Sequence, residues 1–199
     1  LAVYKPQRGE RPLWDFEYGT LSLREVASYL LSEAVGWHLV PPTVLRQGTH
    51  GLGSVQLFVH AQDDVHYFTI QDDPVYTHVL RRLAAFDVVT NNADRKAGHC
   101  LLDAEGRLWA IDNALTFHEQ PKLRTVIWDF AGEPLSQEIV ADLRALAGAL
   151  EAGSNFRDAL AQLLSRAEVA ALCRRLDSFV QSGCFPEPGP GRHVPWPMV

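Results

Sequence analysis

Cysteine is scarce in this chain: there are three, Cys100, Cys173 and Cys184. Their number is odd and no two form a C-x-x-C pair, which argues against a disulfide framework or a cysteine zinc site and fits a reducing, cytoplasmic setting. Histidine is more frequent, with eight residues, but they are scattered without metal-ligand spacing. No apolar run approaches the roughly 20 residues needed to cross a bilayer, and no signal-peptide pattern is present. A basic surplus is also lacking. The formal net charge of −6 makes broad nucleic-acid binding through bulk electrostatics a poor reading. Repeats and low-complexity blocks are missing. The first residue is Leu1 rather than Met, and "LAVYKP" reads as the middle of a strand, so further sequence is expected upstream.

What is present suits a globular protein. The 199 residues are 47% hydrophobic and 21% charged, enough for one large domain or two small lobes sharing a cleft. "LAVYKPQRGERP" starts as a strand and ends in a Gly-, Pro- and charge-rich loop. From Thr20 to Val35, Leu23, Val26, Ala27, Leu30, Leu31, Ala34 and Val35 recur at helical spacing. Ser22 and Glu25 match the S-x-x-E capping box of such a helix, and Gly36 is a stop. "VPPTVLRQG" and "GSVQLFVHA" read as strands joined by a turn over residues 48–53. "HYFTI", residues 66–70, is a weaker strand candidate. Pro74 opens a helix that turns Val75, Val79, Leu83 and Phe86 inward and runs toward Val89. "HCLLD" and "RLWAID" form a hairpin around Ala104, Glu105 and Gly106. Beyond residue 134, "SQEIVADLRALAGALEAG" and "NFRDALAQLLSRAEVAALCRRLDSFVQSG" are helical, and the tail from Cys184 carries five prolines.

The chemistry concentrates in "NNADRKAGHCLLDAEGRLWAIDNALTFH". Asp94 and His99 precede the first hairpin strand and Asp112 follows the second, and in an antiparallel pair those ends are neighbours. Asp94, His99 and Asp112 are therefore expected to meet around one metal ion. Phosphoryl transfer needs a cation at the phosphates, carboxylates for a divalent ion and a group that orients the attacking hydroxyl. Lys5, Glu25, Asp94 and Asp112 supply that set. Each also has a plainer reading. Lys5 can be a solvated lysine and Glu25 a capping acid. Asp94 with Arg95 can form a surface ion pair. His99 can start a strand with its ring in solvent, and Asp112 can close an Asx turn. Asn92 fits a loop hydrogen-bonder or a member of the active loop. Trp109, Trp128 and Phe117 read as core or cleft wall, and Arg124 faces either an anionic acceptor or a structural acid.

Six stretches, in order, resemble the phosphatidylinositol 3/4-kinase superfamily, most of all the type II phosphatidylinositol 4-kinases and their bacterial relatives. "VYKP" resembles the strand with the ATP lysine, "SLREVASYLLSEAVGWHLVPPT" the helix and strand after it, and "GSVQLFV" the segment linking the lobes. "FDVVTNNADRKAGH" resembles the D-x-x-x-x-N-x-D-R catalytic loop, "AIDNALTF" the I-D-x-G metal motif, and "PLSQEI" the start of the C-terminal helices. The resemblance implies a two-lobed α+β protein-kinase-like fold. Residues 1–62 would form a strand-rich N-lobe, truncated before its upstream strands and phosphate-covering loop, and residues 63–199 a helical C-lobe. It implies ATP- and Mg2+-dependent transfer of the γ-phosphate to a hydroxyl, with Lys5 on the phosphates, Glu25 steadying it, and backbone groups of Gln56, Leu57, Phe58 and Val59 holding adenine. Asp94 would orient or deprotonate the acceptor. Asp112 and His99 would hold the metal, with Mn2+ an alternative because His99 stands where the family has Asn. Ala114 stands where the family has Gly. The acceptor is a lipid or a protein hydroxyl, with contact to a membrane peripheral at most. A protein serine/threonine kinase of the same superfamily and a nucleotide-binding pseudokinase are the rival readings.

Overall fold

Lys5 lies on a strand that pairs with its neighbour through a glycine. In the computed structural model, which describes residues 1–199, β1 (Ala2–Pro6) pairs antiparallel with β3 (Gly51–Leu57), and β3 with β2 (Thr43–Gly48), in the order β1-β3-β2. Lys5 faces Ser54 across the ladder. At Gly53 a Cβ would lie 2.4 Å from the Lys5 carbonyl oxygen and 2.7 Å from Pro6 Cα, so only glycine lets the two backbones approach this closely. The register pairs Gly48 with Gly51. The β2–β3 turn is therefore only Thr49 and His50, tighter than the 48–53 span expected from sequence, because the ladder resumes at Gly51.

α1 (Leu21–Ala34) follows β1, as the periodicity predicts. The expected capping box does not form. Thr20 is the N-cap residue, and its side chain accepts from Arg24 Nε rather than from a backbone N–H of the helix, while Glu25 is turned to Lys5. A charge-assisted bond to an ammonium is stronger than a cap to a neutral amide, and it takes the carboxylate.

"HYFTI" is not a strand. Tyr67–Ile70 form one helical turn, α2, capped by His66 and Thr69. Tyr67 and Ile70 are buried, the spacing of a helix face rather than of a strand. α3 (Pro74–Thr90) starts after Asp73, whose side chain accepts the Val75 N–H, with Pro74 at its first position. Leu83 and Phe86 are fully buried, but Val75 is exposed, since the first turn projects past the core. The hairpin is β4 (Cys100–Leu102) against β5 (Leu108–Ala110). An Ala61–Asp103 bridge and the Gln62 N–H to Leu102 carbonyl bond tie the preceding linker to β4.

The C-terminal half holds α4 (Gln137–Ala149), α5 (Asn155–Ala161) and α6 (Arg166–Ser182). The sequence suggests continuous helix from Asn155 onward. The chain instead breaks before Ser165, which caps α6 in a reciprocal box with Glu168. One apolar core runs from α1 through α3, the hairpin and α4 to α6, and no residue of the three-stranded sheet belongs to it. Arg24 of α1 pairs with Glu168 of α6, and Trp37 with Asp142 of α4, which fastens the sheet-bearing segment to the helices. The result is a mixed α/β protein, and no helix is long and apolar enough to cross a membrane.

Replacing Gly53 with Ala is expected to destabilise the chain by about 1–3 kcal/mol, the usual cost of forcing atoms into a filled space. Urea unfolding of Gly53→Ala beside the parent protein checks it; equal midpoints would refute the close-approach argument.

Candidate active site

The loop between α3 and β4 is organised by a pair the sequence reading did not identify. Asp87 and Arg95 are both fully buried. Arg95 Nε donates to both Asp87 oxygens at 3.1 Å. Its Nη1 donates to the Ile111 carbonyl at 2.9 Å and its Nη2 to Asn113 Oδ1 at 2.6 Å. Asp87 also accepts from Asn92 Nδ2 and Thr125 Oγ1. Burial raises the Asp87 pKa, opposed by Arg95 and the two neutral donors. Burial equally disfavours the Arg95 cation, but Asp87 overcomes that and holds its pKa above the usual value. Arg95 is thus no surface partner of Asp94. The signal for the pair was an acid inside the apolar helix segment "LAAFDVV", eight residues before an arginine.

Arg95 holds the Ile111 carbonyl before Asp112 and the Asn113 side chain after it, so it sets where that carboxylate stands. Asp112 has φ of 57°, and Asn91 and Phe117 also lie in the left-handed region, at 55° and 62°. Asp and Asn tolerate this conformation better than most residues. Ala114, where the resembling family has Gly, is not among the positive-φ residues, so its Cβ brings no backbone strain.

Lys5 Nζ lies 2.6 Å from Glu25 Oε1 and 2.9 Å from Asp112 Oδ1. An amine and two acids from distant parts of the sequence therefore do converge. They line a cavity of about 300 Å3 together with Ser22, Ser54 and Ala114. Glu25 is buried, and its other oxygen accepts the Asn113 N–H at 3.2 Å. Burial raises its pKa despite Lys5. Burial disfavours the Lys5 cation, but Glu25 and Asp112 together lift its pKa above the usual lysine value. Asp112 is half-exposed. Burial of its inner part works against the charge, yet Lys5 and His99 keep its pKa below the carboxylate norm.

His99 and Asp112 meet as expected, with Nε2 3.4 Å from Oδ2. His99 Nδ1 faces the Lys96 N–H at 3.4 Å. Burial, with Arg95 nearby, lowers the imidazole pKa to about 4, so the ring is neutral near pH 7. With Nδ1 accepting, its proton sits on Nε2 and is turned toward Asp112, which orients the carboxylate. Asp94 does not complete a three-way cluster: its carboxylate lies 3.6 Å from Lys96 Nζ, and no group of three or more His, Cys, Asp or Glu side chains converges as a metal site. Its backbone N–H is held by Asn92 Oδ1 at 3.0 Å, so Asn92 belongs to the loop architecture. Burial raises the Asp94 pKa, with Lys96 opposing. Lys5 lies on Asp112 Oδ1 and His99 beside Oδ2, so a divalent ion at this carboxylate would have to displace one of those contacts.

The adenine-binding expectation meets a different arrangement. Gln56 Nε2 donates to Thr43 Oγ1. The Leu57 N–H is taken by the Pro42 carbonyl and the Phe58 N–H by Leu1, which leaves the Val59 N–H without a backbone acceptor. Phe117 is buried, while Trp109 Nε1 is bonded to Asp103 and Trp128 Nε1 to the His193 carbonyl.

Protein Rv2133c of Mycobacterium tuberculosis is 39% identical over 228 aligned residues, covering 98% of this chain and 81% of that protein. The chain belongs to its family. Phosphatidylinositol 4-kinase gamma 4 of Oryza sativa is 31% identical over 64% of the chain, and phosphatidylinositol 4-kinase gamma 3 of Arabidopsis thaliana 26% identical over 65%. The matches span only 26% and 28% of those plant proteins. Among solved structures, the Helicobacter pylori proinflammatory kinase CtkA aligns with a TM-score of 0.49 and 12% identity over 92% of this chain and 84% of its own. No family model matches.

Asp87→Asn removes the counter-charge of a fully buried guanidinium and should cost about 3–5 kcal/mol, read by chemical unfolding; a cost under about 1 kcal/mol would refute the organising role of the pair. Lys5→Met leaves Glu25 a buried carboxylate without its cation, and should cost about 1–3 kcal/mol at neutral pH. In that variant the folded Glu25 pKa lies above the unfolded one, so folding takes up a proton. Stability then falls as pH rises from the unfolded toward the folded pKa, and the deficit should shrink on acidification. Adding Glu25→Gln should remove the pH dependence. A deficit flat from pH 4 to 8 would contradict the Lys5–Glu25 assignment.

Proposed function

We propose that this protein is an ATP- and divalent-metal-dependent kinase, similar to the phosphatidylinositol 3/4-kinases, that transfers the γ-phosphate to a hydroxyl. The observation that carries the reading is Lys5 Nζ held between Glu25 and Asp112 at 2.6 and 2.9 Å in one cavity. An isolated salt bridge needs one acid. An ammonium fixed by a buried acid on one side and a half-exposed acid on the other is arranged to share itself with a third anion, such as a phosphate. The plant kinase relatives and the motif order support the same reading, in which residues 1–62 form the N-lobe and residues 63–199 the C-lobe.

In this reading Lys5 binds the α- and β-phosphates while Glu25 fixes its position. The backbone at the end of β3, near Val59, holds the adenine. Asp94 accepts the acceptor's proton as the acceptor oxygen bonds to the γ-phosphorus, the bond from that phosphorus to the β–γ bridging oxygen breaks, and ADP leaves. Asp112 would hold Mg2+, with His99 beside its carboxylate; such an ion would supply charge neutralisation at the phosphate oxygens. Mn2+ is the natural comparison because an imidazole stands beside the site.

A lipid headgroup is favoured over a protein as acceptor. Beside the Asp94 loop, Arg124 donates its N–H to the Asn92 carbonyl and accepts from the Arg95 N–H. It opens onto a cleft of about 480 Å3 with Lys122, Arg192 and His193 on its walls and Glu187 as the only acid. Such a cleft suits an anionic acceptor. The reading of a nucleotide-binding pseudokinase rests on the His99 proton directed at Asp112.

Labelled ATP, with Mg2+ and then Mn2+, should transfer label to phosphatidylinositol vesicles more than to protein substrates. Asp94→Asn should reduce transfer by about 10²- to 10⁴-fold, the usual contribution of a positioned base, while binding of an ATP analogue persists. Turnover untouched by Asp94→Asn would refute the mechanism, nucleotide binding with no transfer would establish the pseudokinase reading, and label entering protein alone would overturn the lipid acceptor.

A further inference from the structure

The cleft of about 480 Å3 beside the Asp94 loop is built from two segments far apart in the sequence: residues 121–128, beyond the hairpin, and residues 186–193 of the C-terminal tail. It shares no lining residue with the cavity around Lys5. The five prolines after Cys184 keep the tail extended and remove backbone donors from it, so it attaches through its carbonyls. The His193 carbonyl accepts the Thr125 N–H and the Trp128 Nε1–H, both at 3.1 Å. Pro195 is buried. The Met198 carbonyl accepts the Ala97 N–H at 2.7 Å, three residues after Asp94. Ala97 is fully buried. The tail is thus bonded both to the segment that lines the other part of the cleft and to the catalytic loop itself.

The charges of the cleft are unevenly satisfied. Lys122 is paired with Asp15 at 2.8 Å. Arg124 and Arg192 have no carboxylate partner. Within the protein each bonds only through Nε, Arg124 to the Lys122 carbonyl at 3.5 Å and Arg192 to the Val194 carbonyl at 3.2 Å. The terminal nitrogens of both guanidinium groups are left for an outside acceptor. Glu187, the only acid on the wall, is exposed. The Arg95 N–H to Arg124 carbonyl bond, 3.0 Å long, sets Arg124 against the Asp94 loop. Burial raises the Asp94 pKa, and after Lys96 the Arg124 charge opposes that rise, so this guanidinium acts on the Asp94 carboxylate across the loop.

We propose that the C-terminal tail is a working wall of the acceptor site, and that Arg192 on the tail, together with Arg124, selects an acceptor carrying a phosphate ester beside the hydroxyl that is phosphorylated. A carboxylate has two oxygens and is satisfied by one planar fork. Two unpaired forks on separate segments suit a tetrahedral anion, whose oxygens face more than one direction. The phosphate ester is anchored in the cleft, and the neighbouring hydroxyl is brought toward Asp94. This inference rests on the reading of Asp94 as the group that receives the acceptor's proton.

The test uses the full chain and two probes, inositol 1-phosphate and myo-inositol. Titration calorimetry should show one-to-one binding of inositol 1-phosphate, with myo-inositol weaker by about 10- to 100-fold, the worth of a charge-assisted hydrogen bond. Arg192→Gln should weaken inositol 1-phosphate by about 10-fold or more while ATP-analogue binding stays unchanged. Glu187→Gln should act in the opposite direction and tighten the complex by about 2- to 5-fold, the scale of an exposed charge interaction. In transfer assays, with phosphatidylinositol vesicles and inositol 1-phosphate as separate acceptors, Arg192→Gln should raise the acceptor KM and leave the KM for ATP unchanged; the acceptor that takes label identifies the source of the phosphate ester. Equal binding of the two probes, or an inositol 1-phosphate affinity untouched by Arg192→Gln, would overturn the proposal. Asp94-dependent transfer with an acceptor KM indifferent to Arg192 would likewise overturn it and leave the kinase reading standing. Arg192-dependent binding without transfer to any acceptor would instead refute the kinase reading and keep the phosphate-ester cleft.

Discussion

The Asp87–Arg95 pair is the constraint on which the rest of the site depends. A guanidinium with no exposure must satisfy its donors inside the protein. Arg95 does so by reaching three places at once: the end of α3 through Asp87, the main chain before Asp112 through Ile111, and Asn113 just after it. Those bonds convert a helix end, a loop and a hairpin end into one rigid body. Asp94 and Asp112 are separated by a hairpin in sequence, yet both positions are set by the residue next to Asp94. A buried ion pair is weak evidence for extra stability, because desolvation consumes much of its Coulombic gain. Its value here is directional, since the planar fork admits few other arrangements of the same segments.

Lys5 then reads as the link between this rigid body and the sheet. The three-stranded sheet contributes nothing to the apolar core, so its placement relies on polar contacts and on α1. Glu25 sits on α1, Asp112 on the hairpin side, and Lys5 on β1. One ammonium therefore joins three separately placed elements. The Gly53 approach fixes the β1 backbone at that residue. Moving any of the three elements would break a short, charge-assisted bond, so the geometry is sensitive to hinge motion between sheet and helices. A nucleotide triphosphate arriving at Lys5 would meet the groups that hold these parts together.

Much of this was legible in the sequence because it follows from local rules. The antiparallel hairpin alone implies that the residues before its first strand and after its second are neighbours, and His99 and Asp112 are. The apolar approach "LWAI" foretold a strand delivering Asp112 to a cleft. α1, α3 and α4 follow from periodicity, with Pro74 marking the start of α3. The misses share one cause: a side chain's partner is set by tertiary contacts. Ser22 and Glu25 satisfy a capping pattern, but a distant ammonium outbids the helix terminus for Glu25. Arg95 beside Asp94 looks like a surface pair, yet its partner lies eight residues back inside a helix. "HYFTI" has the composition of a strand, but burial of Tyr67 and Ile70 selects a helical turn. The break before α6 was signalled by Ser165 and Glu168, a capping box within an apolar pattern that reads as continuous.

Arg175 shows the same logic on the far side of the loop. Like Arg95, it reaches carbonyls of two segments: Val89, in the last turn of α3, and His118, beyond Asp112. The His118 carbonyl also accepts from Asn91 Nδ2, the left-handed residue that ends α3. The loop bearing Asp94 is thus braced from the front by a guanidinium with a carboxylate and from behind by one without. The asymmetry matters energetically. The front brace is charge-compensated, whereas the rear brace rests on two main-chain carbonyls alone.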